Sequence, residues 1–498
     1  MTAHLPILIV VLPLAGAVLA PVVGLVSERV LRGLTLGVLL LAQLSALAAL
    51  GVALEGGPWR YELGGWAPPW GIEYVVDPLG GGMAVLVSFM ALVTAIHAAR
   101  RLGGATGFAT GVHHALYLLL TAGLLGIVVT GDAFNLYVFL EMSALGAYAL
   151  LAGGGDRAAV AVFRYLLLGT IAAAFYLLGI GHLYAVTGTL NLADLAARLP
   201  AADPGVVATA LALIVVGLAI KIAIFPLHGW LPDAYTYAPT AMVSFVASVV
   251  SKVGAYVLLR FLFFVIEAPG ATGRALDLLA AAAAIGIVAA SVMAVAQDDL
   301  RRMLAYSSVA QMGYIVLGLG LGNATALTGA LLHVVNHAVL KACLFMAAGN
   351  LLLQTGTARL AGCAGIARRL PLTMAAFAIA ALSMIGLPPA GGFFSKWYLI
   401  LGALEQGATL YVAAILAGSL LTAVYLFRVL ERAYFRSPEQ AATPPPPSVA
   451  SLAARAGEAP RSMLLPVLLL ALVVLGLGVF NQALVESVLR PALAGMGR

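Results

Sequence analysis

The sequence predicts an all-α polytopic membrane protein with about 14 transmembrane helices. Hydrophobic residues make up 63% of the 498-residue chain, charged residues make up only 9%, and the mean hydropathy is +1.06. Soluble proteins of this size do not have that balance. The apolar runs are about 20 residues long and do not alternate with polar residues, which excludes a transmembrane β-barrel.

The helices follow one another along the whole chain and divide it into five parts. They are predicted at residues 5–26, 31–53, 78–99, 113–130, 132–152, 160–186, 205–227, 239–265, 276–296, 303–321, 325–353, 372–400, 408–431 and 463–487. The Gly-, Pro- and Trp-rich residues 55–76 are predicted to form an external loop at the membrane interface. The predicted parts are helices 1–3 with this loop (1–112), a first five-helix repeat (113–266), a second (267–436), a cytoplasmic proline-rich linker (437–462) and the last helix (463–498).

Arginines in the connecting segments predict the orientation of the chain. One set of alternate loops holds fifteen arginines and the other holds three: Arg60, Arg198 and Arg274. Because positive charge accumulates on the cytoplasmic side, the richer set is predicted in the cytoplasm and both termini outside it. The net charge of +6 therefore reflects membrane orientation and predicts no nucleic-acid partner. The location predicted is a bacterial or archaeal cell membrane.

The chain contains only four lysines, and all lie in apolar stretches of membrane length: Lys221, Lys252, Lys341 and Lys396. Arginine always keeps its proton, whereas a buried lysine can lose it. A charge at the bilayer centre is costly and is retained mainly for function. A genomic preference for arginine codons would explain the loops but not four ammonium groups in hydrocarbon. The pattern favours proton transfer.

The predicted fifth helix carries one carboxylate, Glu141, about three turns from its start. A carboxylate at that depth needs a cationic partner or a proton. A salt bridge that only ties two helices together is the alternative interpretation. If Glu141 approaches Lys221, we expect Lys221 to hold a proton, since opposite charges about 4 Å apart at an effective dielectric of 20 attract by about 4 kcal/mol. If Glu141 is drawn away, we expect Lys221 to release its proton.

Two predicted helices are interrupted while they cross the membrane. Pro226 interrupts the seventh, close to Lys221, and a Pro- and Gly-rich segment interrupts the twelfth near Lys396: Pro388, Pro389 and Gly391. A kink needed only for packing is the alternative. Because the breaks are five helices apart, they predict two related units of five helices, and an odd unit length would invert one against the other.

Further titratable residues lie on the predicted eighth and eleventh helices. Lys252 is flanked by serines, and His333, His337 and Lys341 follow at i, i+4 and i+8, so they share one helix face. Two histidines at i, i+4 can bind zinc, but no Glu or Cys completes such a site nearby and a lysine would oppose it, so no metal is predicted. A proton path from Lys221 through Lys252 to His337, Lys341 and Lys396 fits the pattern better.

Residues 70–435 resemble the antiporter-like family shared by Mrp-type sodium/proton antiporters and the membrane arm of respiratory complex I. Four segments carry the resemblance. They are TGDAFNLYVFLE at 130–141, the segment at 221–240 that begins with KIAIFPLHGWLPD, HVVNHAVLKACLFMAAG at 333–349 and GGFFSKW at 391–397. The resemblance implies fourteen helices with two inverted repeats. It also implies that Glu141 and Lys221 form the key ion pair, with the other lysines and the histidines continuing a polar axis.

Within that family, the D-type subunit of the Mrp antiporter looks most similar. The resemblance then implies a proton-translocating component of a multi-subunit Na⁺/H⁺ antiporter, with other membrane subunits, H⁺ and Na⁺ as its partners. The alternatives are a proton-pumping subunit of a complex I-like oxidoreductase or membrane-bound hydrogenase, and a stand-alone channel or transporter of another kind. Because two isolated cysteines, Cys343 and Cys363, cannot hold an iron–sulfur cluster, no cofactor is predicted in this chain.

Overall fold

A computed structural model of the chain describes residues 4–102, 107–266, 268–437 and 457–494. It begins with the helices α1 (Leu5–Val26), α2 (Glu28–Gly56) and α3 (Pro78–Leu102). Between α2 and α3, the strands β1 (Trp59–Glu62) and β2 (Glu73–Val76) pair antiparallel. The sequence predicted only a loop there, because four-residue strands are too short to show a period of two.

Two sets of helices follow, one for each predicted repeat. The first contains α4 (Phe108–Val129), α5 (Ala133–Ala152), α6 (Asp156–Thr187), α7 (Leu192–Arg198), α8 (Pro204–Ile222), α9 (Leu231–Tyr237) and α10 (Thr240–Arg260). The second contains α11 (Pro269–Val295), α12 (Leu300–Leu321), α13 (Ala324–Thr355), α14 (Pro371–Ile385), α15 (Gly391–Glu405) and α16 (Thr409–Phe435). The chain ends in α17 (Arg461–Val479), α18 (Asn481–Leu484) and α19 (Arg490–Leu493).

The predicted fold class is confirmed. In the described part of the chain, 13 helices are long and apolar enough to cross a membrane, and α14 with α15 supplies one further, interrupted crossing. The seventh predicted helix is α8, which ends at Ile222 rather than at 227, and the twelfth is divided into α14 and α15. Most of the predicted proline-rich linker lies outside the described residues.

Asparagine and aspartate side chains begin many of these helices. They accept hydrogen bonds from backbone amides in the first turns of α5, α7, α8, α12 and α13, and the residues are Asp132, Asn191, Asp203, Asp299 and Asn323. Such caps satisfy amides that have no partner inside the helix. The chain therefore marks its helix starts locally, even where the flanking loops are only a few residues long.

The inverted repeat is visible in the backbone. Asp132, before α5, forms an isolated bridge with Asn191, and Asp299, before α12, forms the matching bridge with Arg359. Each acidic residue also caps the helix that follows it. Five membrane crossings separate the two bridges, and an odd number places them at opposite membrane faces, as inverted repeats require.

Three helices form the centre of the molecule: α10, α12 and α13 are almost wholly buried, whereas α16 and the N-terminal α1 and α2 are largely exposed. Helix α13 packs against α10, α12, α14, α15 and α17, so it joins the two repeats. Lysine and histidine side chains on α10 and α13 are consequently surrounded by protein rather than by lipid. The fold thus creates a polar interior at membrane depth, which a bilayer tolerates only inside protein.

Candidate functional site

Glu141 and Lys221 form an ion pair between α5 and α8, with Lys221 Nζ 3.2 Å from Glu141 Oε1. The Lys221 side chain is 10% exposed and the Glu141 side chain is 28% exposed. The carboxylate is therefore the more accessible partner and the ammonium is the more enclosed one. The structure brings together the two residues on which the sequence-based switch hypothesis depends.

The first helix break follows the end of α8 at Ile222. It comprises the non-helical residues 223–230, which include Pro226. Ala223 adopts a left-handed conformation at φ 61° and ψ 46°, which is unusual for a residue with a side chain. The indole Nε1 of Trp230 donates to the carbonyl of Ile220 at 2.9 Å. A side chain from beyond the break thus binds a carbonyl near the helix end and leaves the Lys221 ammonium free to meet its carboxylate.

Lys252 lies on α10 and is 1% exposed. Its Nζ donates to the backbone carbonyl of Ala247 at 2.6 Å. Two of the flanking serines, Ser244 and Ser248, donate to carbonyls of their own helix and do not bind the ammonium. Within the described residues, Lys252 forms no ion pair with a carboxylate, unlike Lys221.

His333 and His337 stack on α13 with ring centroids 5.9 Å apart. Both nitrogens of His333 are occupied, Nδ1 at 2.8 Å from Ser395 Oγ and Nε2 at 3.0 Å from Gln311 Oε1. A histidine with both nitrogens in such bonds has no lone pair free for zinc, which argues against the metal alternative. His337 is fully buried, and no hydrogen-bond partner for its ring nitrogens occurs among the described residues.

Lys341 lies one turn beyond His337 and is fully buried. Its Nζ donates to the carbonyl of Leu304 at 2.8 Å and to the hydroxyl of Ser307, both on α12. The ammonium also lies 5.9 Å from the ring centroid of Phe345. Helix α12 therefore supplies the neutral oxygen atoms that hold this charge.

Lys396 lies on α15, directly beyond the second helix break. Its Nζ donates to the carbonyls of Met384 at 2.9 Å and Ile385 at 3.0 Å, which are the last two residues of α14. A third bond of 3.0 Å reaches Ser419 Oγ on α16. The ammonium lies 4.7 Å from the centroid of the Tyr314 ring, which adds a cation–π contact.

The predicted positions Pro388, Pro389 and Gly391 lie in this second break or at its end. The break begins after Gly386, which has φ 99° and ends α14 as a left-handed cap. Asn336 on α13 donates from Nδ2 to the carbonyl of Gly391 at 2.7 Å and so fixes the start of α15. The break is thus held by a polar side chain from the central helix.

The seven predicted relay residues form two groups. The Lys252 charge interacts with His333, His337 and Lys341, and the Lys396 charge interacts with His333. These five residues make one cluster around α13. The ion pair of Glu141 and Lys221 forms the other group, on α5 and α8, which both contact α10.

Sequence reasoning did not single out a carboxylate that joins the two repeats. Asp233, on α9, lies 3.3 Å from Arg164 on α6 and 3.3 Å from Arg302 on α12. These contacts fix the segment after the first break between both repeats. The proximity of Asp233 to Pro226 was the only local signal, and its arginine partners are distant in sequence.

A second polar cluster lies where the β-hairpin meets the first repeat. Glu73 is 1% exposed and binds Arg60 at 2.8 Å and Asn191 at 2.7 Å. Asp77 forms an ion pair with Arg260. Burial opposes the charged form of Asp77, but the adjacent guanidinium and backbone amides outweigh it and hold the pKa of that carboxyl below its usual range. The Asp77–Arg260 pair attaches the end of the hairpin to α10, and the Glu73–Asn191 bond attaches β2 to the start of α7.

Comparisons with known proteins agree with this architecture. The family described as NADH:quinone oxidoreductase/Mrp antiporter, TM, matches residues 130–422. The N-type subunit of NADH-quinone oxidoreductase from Desulforudis audaxviator (strain MP104C) is 54% identical over 499 residues, or 99% of both chains. The D-type subunit of the Na(+)/H(+) antiporter from Alkalihalophilus pseudofirmus is 33% identical over 378 residues, 75% of this chain and 76% of that one.

A solved structure extends the likeness over the whole fold. A chain of the membrane-bound sulfane sulfur reductase, an archaeal respiratory membrane complex, has a TM-score of 0.89 at 31% identity, covering 99% of this chain and 97% of that chain. The relatives are subunits of multi-subunit membrane assemblies, so the predicted class of partners is confirmed. The short motifs suggested the D-type antiporter relative, but identity over the full length is greater to the N-type oxidoreductase relative. The chain belongs to the family of transmembrane subunits that NADH:quinone oxidoreductases and Mrp antiporters share.

Proposed function

We propose that this chain is a proton-translocating membrane subunit of a redox-driven respiratory assembly similar to NADH:quinone oxidoreductase. The 54% identity to an oxidoreductase subunit over nearly the whole chain supports this alternative better than the Na⁺/H⁺ antiporter that the motifs first suggested. The observation that carries the proposal is the ion pair of Glu141 and Lys221, 3.2 Å apart beside a helix break, in a protein that buries three further lysines.

The pair acts as the loading step in this proposal. While Glu141 contacts Lys221, the ammonium is stabilised and holds its proton. When Glu141 moves away, Lys221 passes the proton toward Lys252, and then to His337, Lys341 and Lys396. The driving force comes from partner subunits, whose redox chemistry displaces the more accessible carboxylate.

The second candidate is exchange of Na⁺ for protons, which the 33% identity to an antiporter subunit supports. A sodium site needs several oxygen ligands, and an unpaired carboxylate among them would also balance the charge of the ion. Glu141 is the only carboxylate in the proposed relay, and it is already paired with Lys221. Asp132, the carboxylate at the start of the same helix, caps α5 by accepting the Asn135 amide at 2.6 Å. These contacts favour proton transfer over a dedicated sodium site.

The orientation of the chain is part of the proposal. Both termini would lie outside the cytoplasm, because the arginine-rich loops would face inward. A single cysteine introduced at Arg60 and another at Arg157, each in a background with Cys343 and Cys363 replaced, tests this in intact cells. An impermeant maleimide should label position 60 and not position 157, and the reverse labelling would contradict the orientation.

The function is tested in inverted membrane vesicles that contain the whole assembly. Lys221→Arg keeps the charge but blocks release of the proton. NADH-driven acidification of the vesicle lumen, followed with a pH-sensitive dye, should fall more than tenfold in this variant. The matched control is Arg198→Lys, which exchanges the same two residue types in an exposed pair with Asp194 and should leave acidification unchanged.

Partner identity separates the two candidates. Affinity purification of the tagged chain should recover flavin- and iron–sulfur-containing subunits if the assembly is redox-driven. Acidification driven by a sodium gradient alone, in a preparation without such subunits, would show a cation/proton antiporter instead. Acidification at the normal rate in Lys221→Arg would show that this lysine does not release protons.

A further inference from the structure

Three buried tyrosines follow one another from the ion pair toward α10, and none of them belongs to the predicted relay. Tyr148 is on α5, Tyr165 on α6 and Tyr235 on α9, and all are at most 6% exposed. The rings of Tyr148 and Tyr165 meet edge to face, with centroids 4.6 Å apart. Tyr165 stacks on Trp230 at 3.8 Å, and Trp230 meets Tyr235 edge to face at 6.3 Å.

The hydroxyl groups of these tyrosines lie within electrostatic range of one another and of Glu141. The Tyr148 hydroxyl interacts electrostatically with Glu141. The Tyr165 hydroxyl interacts with those of Tyr148 and Tyr235, and also with Glu141. The Tyr235 hydroxyl faces Ser251, the residue before Lys252. The set therefore runs from the carboxylate to Ser251, which precedes Lys252 on α10.

These hydroxyls differ from those of the other buried tyrosines. The hydroxyls of four of those donate to backbone carbonyls at 2.7–3.1 Å, and the residues are Tyr117, Tyr176, Tyr256 and Tyr314. In contrast, the hydroxyls of Tyr148 and Tyr235 are buried without a hydrogen bond of normal geometry to any described residue. Leaving a buried hydroxyl unsatisfied lowers stability, and ordered water commonly supplies the missing bonds.

We propose that the hydroxyls of Tyr148, Tyr165 and Tyr235, bridged by water, form the proton path between the Glu141–Lys221 pair and Lys252. The inference rests on the proposed function and assigns proton-carrying residues to its first transfer step. A phenolic hydroxyl can accept one hydrogen bond and donate another. Each group would receive a proton on one side and pass its own onward, so Lys221 loses a proton, Lys252 gains one and the tyrosines are unchanged.

Gly169 on α6 explains how the first hydroxyl is positioned. A Cβ atom at Gly169 would overlap the Tyr148 hydroxyl, which therefore occupies the space that the missing side chain leaves. Gly169→Ala should displace this hydroxyl without removing it. This substitution tests its position separately from its presence.

The test compares single-hydroxyl deletions in vesicles that contain the whole assembly. Tyr165→Phe and Tyr235→Phe keep the aromatic ring and should each lower the proton translocation rate roughly tenfold, as the loss of about 1.4 kcal/mol of hydrogen bonding predicts. The solvent deuterium isotope effect on the remaining rate should rise, which loss of packing would not cause. The matched control is Tyr176→Phe, whose hydroxyl binds the Ala133 carbonyl at 3.0 Å away from this path.

Lys221→Arg, measured in parallel, separates the outcomes. Normal translocation in Lys221→Arg would overturn the proposed function and the path together. Loss in Lys221→Arg with normal rates in Tyr165→Phe, Tyr235→Phe and Gly169→Ala would overturn the path alone. A high-resolution cryo-EM map of the assembly supplies a second check. Water within hydrogen-bond distance of the Tyr148 and Tyr235 hydroxyls supports the path, and apolar packing against both contradicts it.

Discussion

The two helix breaks carry similar lysines but hold them with different groups. At the first break, Trp230 binds the carbonyl of Ile220, and Lys221 is left to pair with Glu141. At the second break, Lys396 itself binds the last two carbonyls of α14 and a hydroxyl of α16. In the first repeat, Trp230 therefore binds the helix end and Glu141 binds the lysine. In the second repeat, the ammonium of Lys396 both binds the helix end and carries the charge.

This difference predicts how each break responds when its lysine loses a proton. A lysine ammonium has three N–H donors, and Lys396 uses three acceptors at 2.9–3.0 Å. A neutral amine has two donors and one lone pair, so it keeps all three contacts only if the Ser419 hydroxyl turns to donate to it, and its bonds to the two carbonyls lose the help of the charge. We expect proton release from Lys396 to loosen the second break. Release from Lys221 should instead free Glu141 and leave the first helix end intact.

Removing the carboxylate should have the largest effect on function. Glu141→Gln keeps the side-chain shape but removes the only charge within ion-pair distance of Lys221 among the described residues. Proton translocation by the assembly should fall more than tenfold, because opposite charges at about 4 Å attract by about 4 kcal/mol at an effective dielectric of 20. The control is Glu431→Gln, in an exposed pair with Arg436. Normal translocation in Glu141→Gln would show that the ion pair is only structural.

Removing Lys396, the lysine at the second break, should have a smaller effect on the translocation rate but a larger effect on local structure. Lys396→Met keeps the volume and removes the bonds to Met384 and Ile385, at a cost of about 2 kcal/mol. Amide hydrogen exchange across the second break should become several-fold faster, and translocation should fall several-fold. Ser419→Ala removes only the third partner and should change exchange less. Unchanged exchange in Lys396→Met would contradict a role for this lysine in holding the break.

The sequence predicted the helix order and the buried lysines because both depend on local composition. A helix end near Gly386 could be predicted, because glycine is the residue that most often ends a helix in the left-handed conformation. The end of α8 was not, because Ala223 adopts that conformation without glycine to signal it. The tripeptide Thr-Gly-Thr occurs at 187–189 and again at 355–357, two residues before Asn191 and Arg359, which form the two isolated bridges. This repetition indicated the two repeats, but the prediction relied on the helix pattern alone.

The contacts between distant helices could not be predicted from one sequence. Glu141 and Lys221 are 80 residues apart, and their contact was inferred from the resemblance and not from spacing. The tyrosines gave no signal, because an aromatic residue in an apolar helix usually packs in the core. Their roles follow only from the position of one hydroxyl relative to another, which depends on how α5, α6 and α9 meet.

The indole that binds the first helix end should matter less than either charged group. Trp230→Phe removes the bond to the Ile220 carbonyl but keeps an aromatic ring against Tyr165. We expect a loss of about 1 kcal/mol in stability, and faster amide exchange at the end of α8. Translocation should fall less than in Lys396→Met, because Lys221 keeps its carboxylate. A larger fall in translocation than in Lys396→Met would show that the lysine charge depends on the neighbouring helix end in the first repeat as well as in the second.

Two alanines in α8 and its cap provide the smallest and most specific test. Ala219→Gly, inside the helix, should lose about 1–2 kcal/mol through the added backbone entropy and the lost methyl contacts. Ala223→Gly makes the same chemical change at φ 61°, where relief of about 1–2 kcal/mol of left-handed strain offsets that loss. Ala223→Gly should therefore be nearly neutral in the thermal unfolding midpoint of the purified assembly, while Ala219→Gly lowers it. Equal losses would mean that Ala223 carries no strain, and that the first break is as relaxed as the second, where glycine occupies the same position.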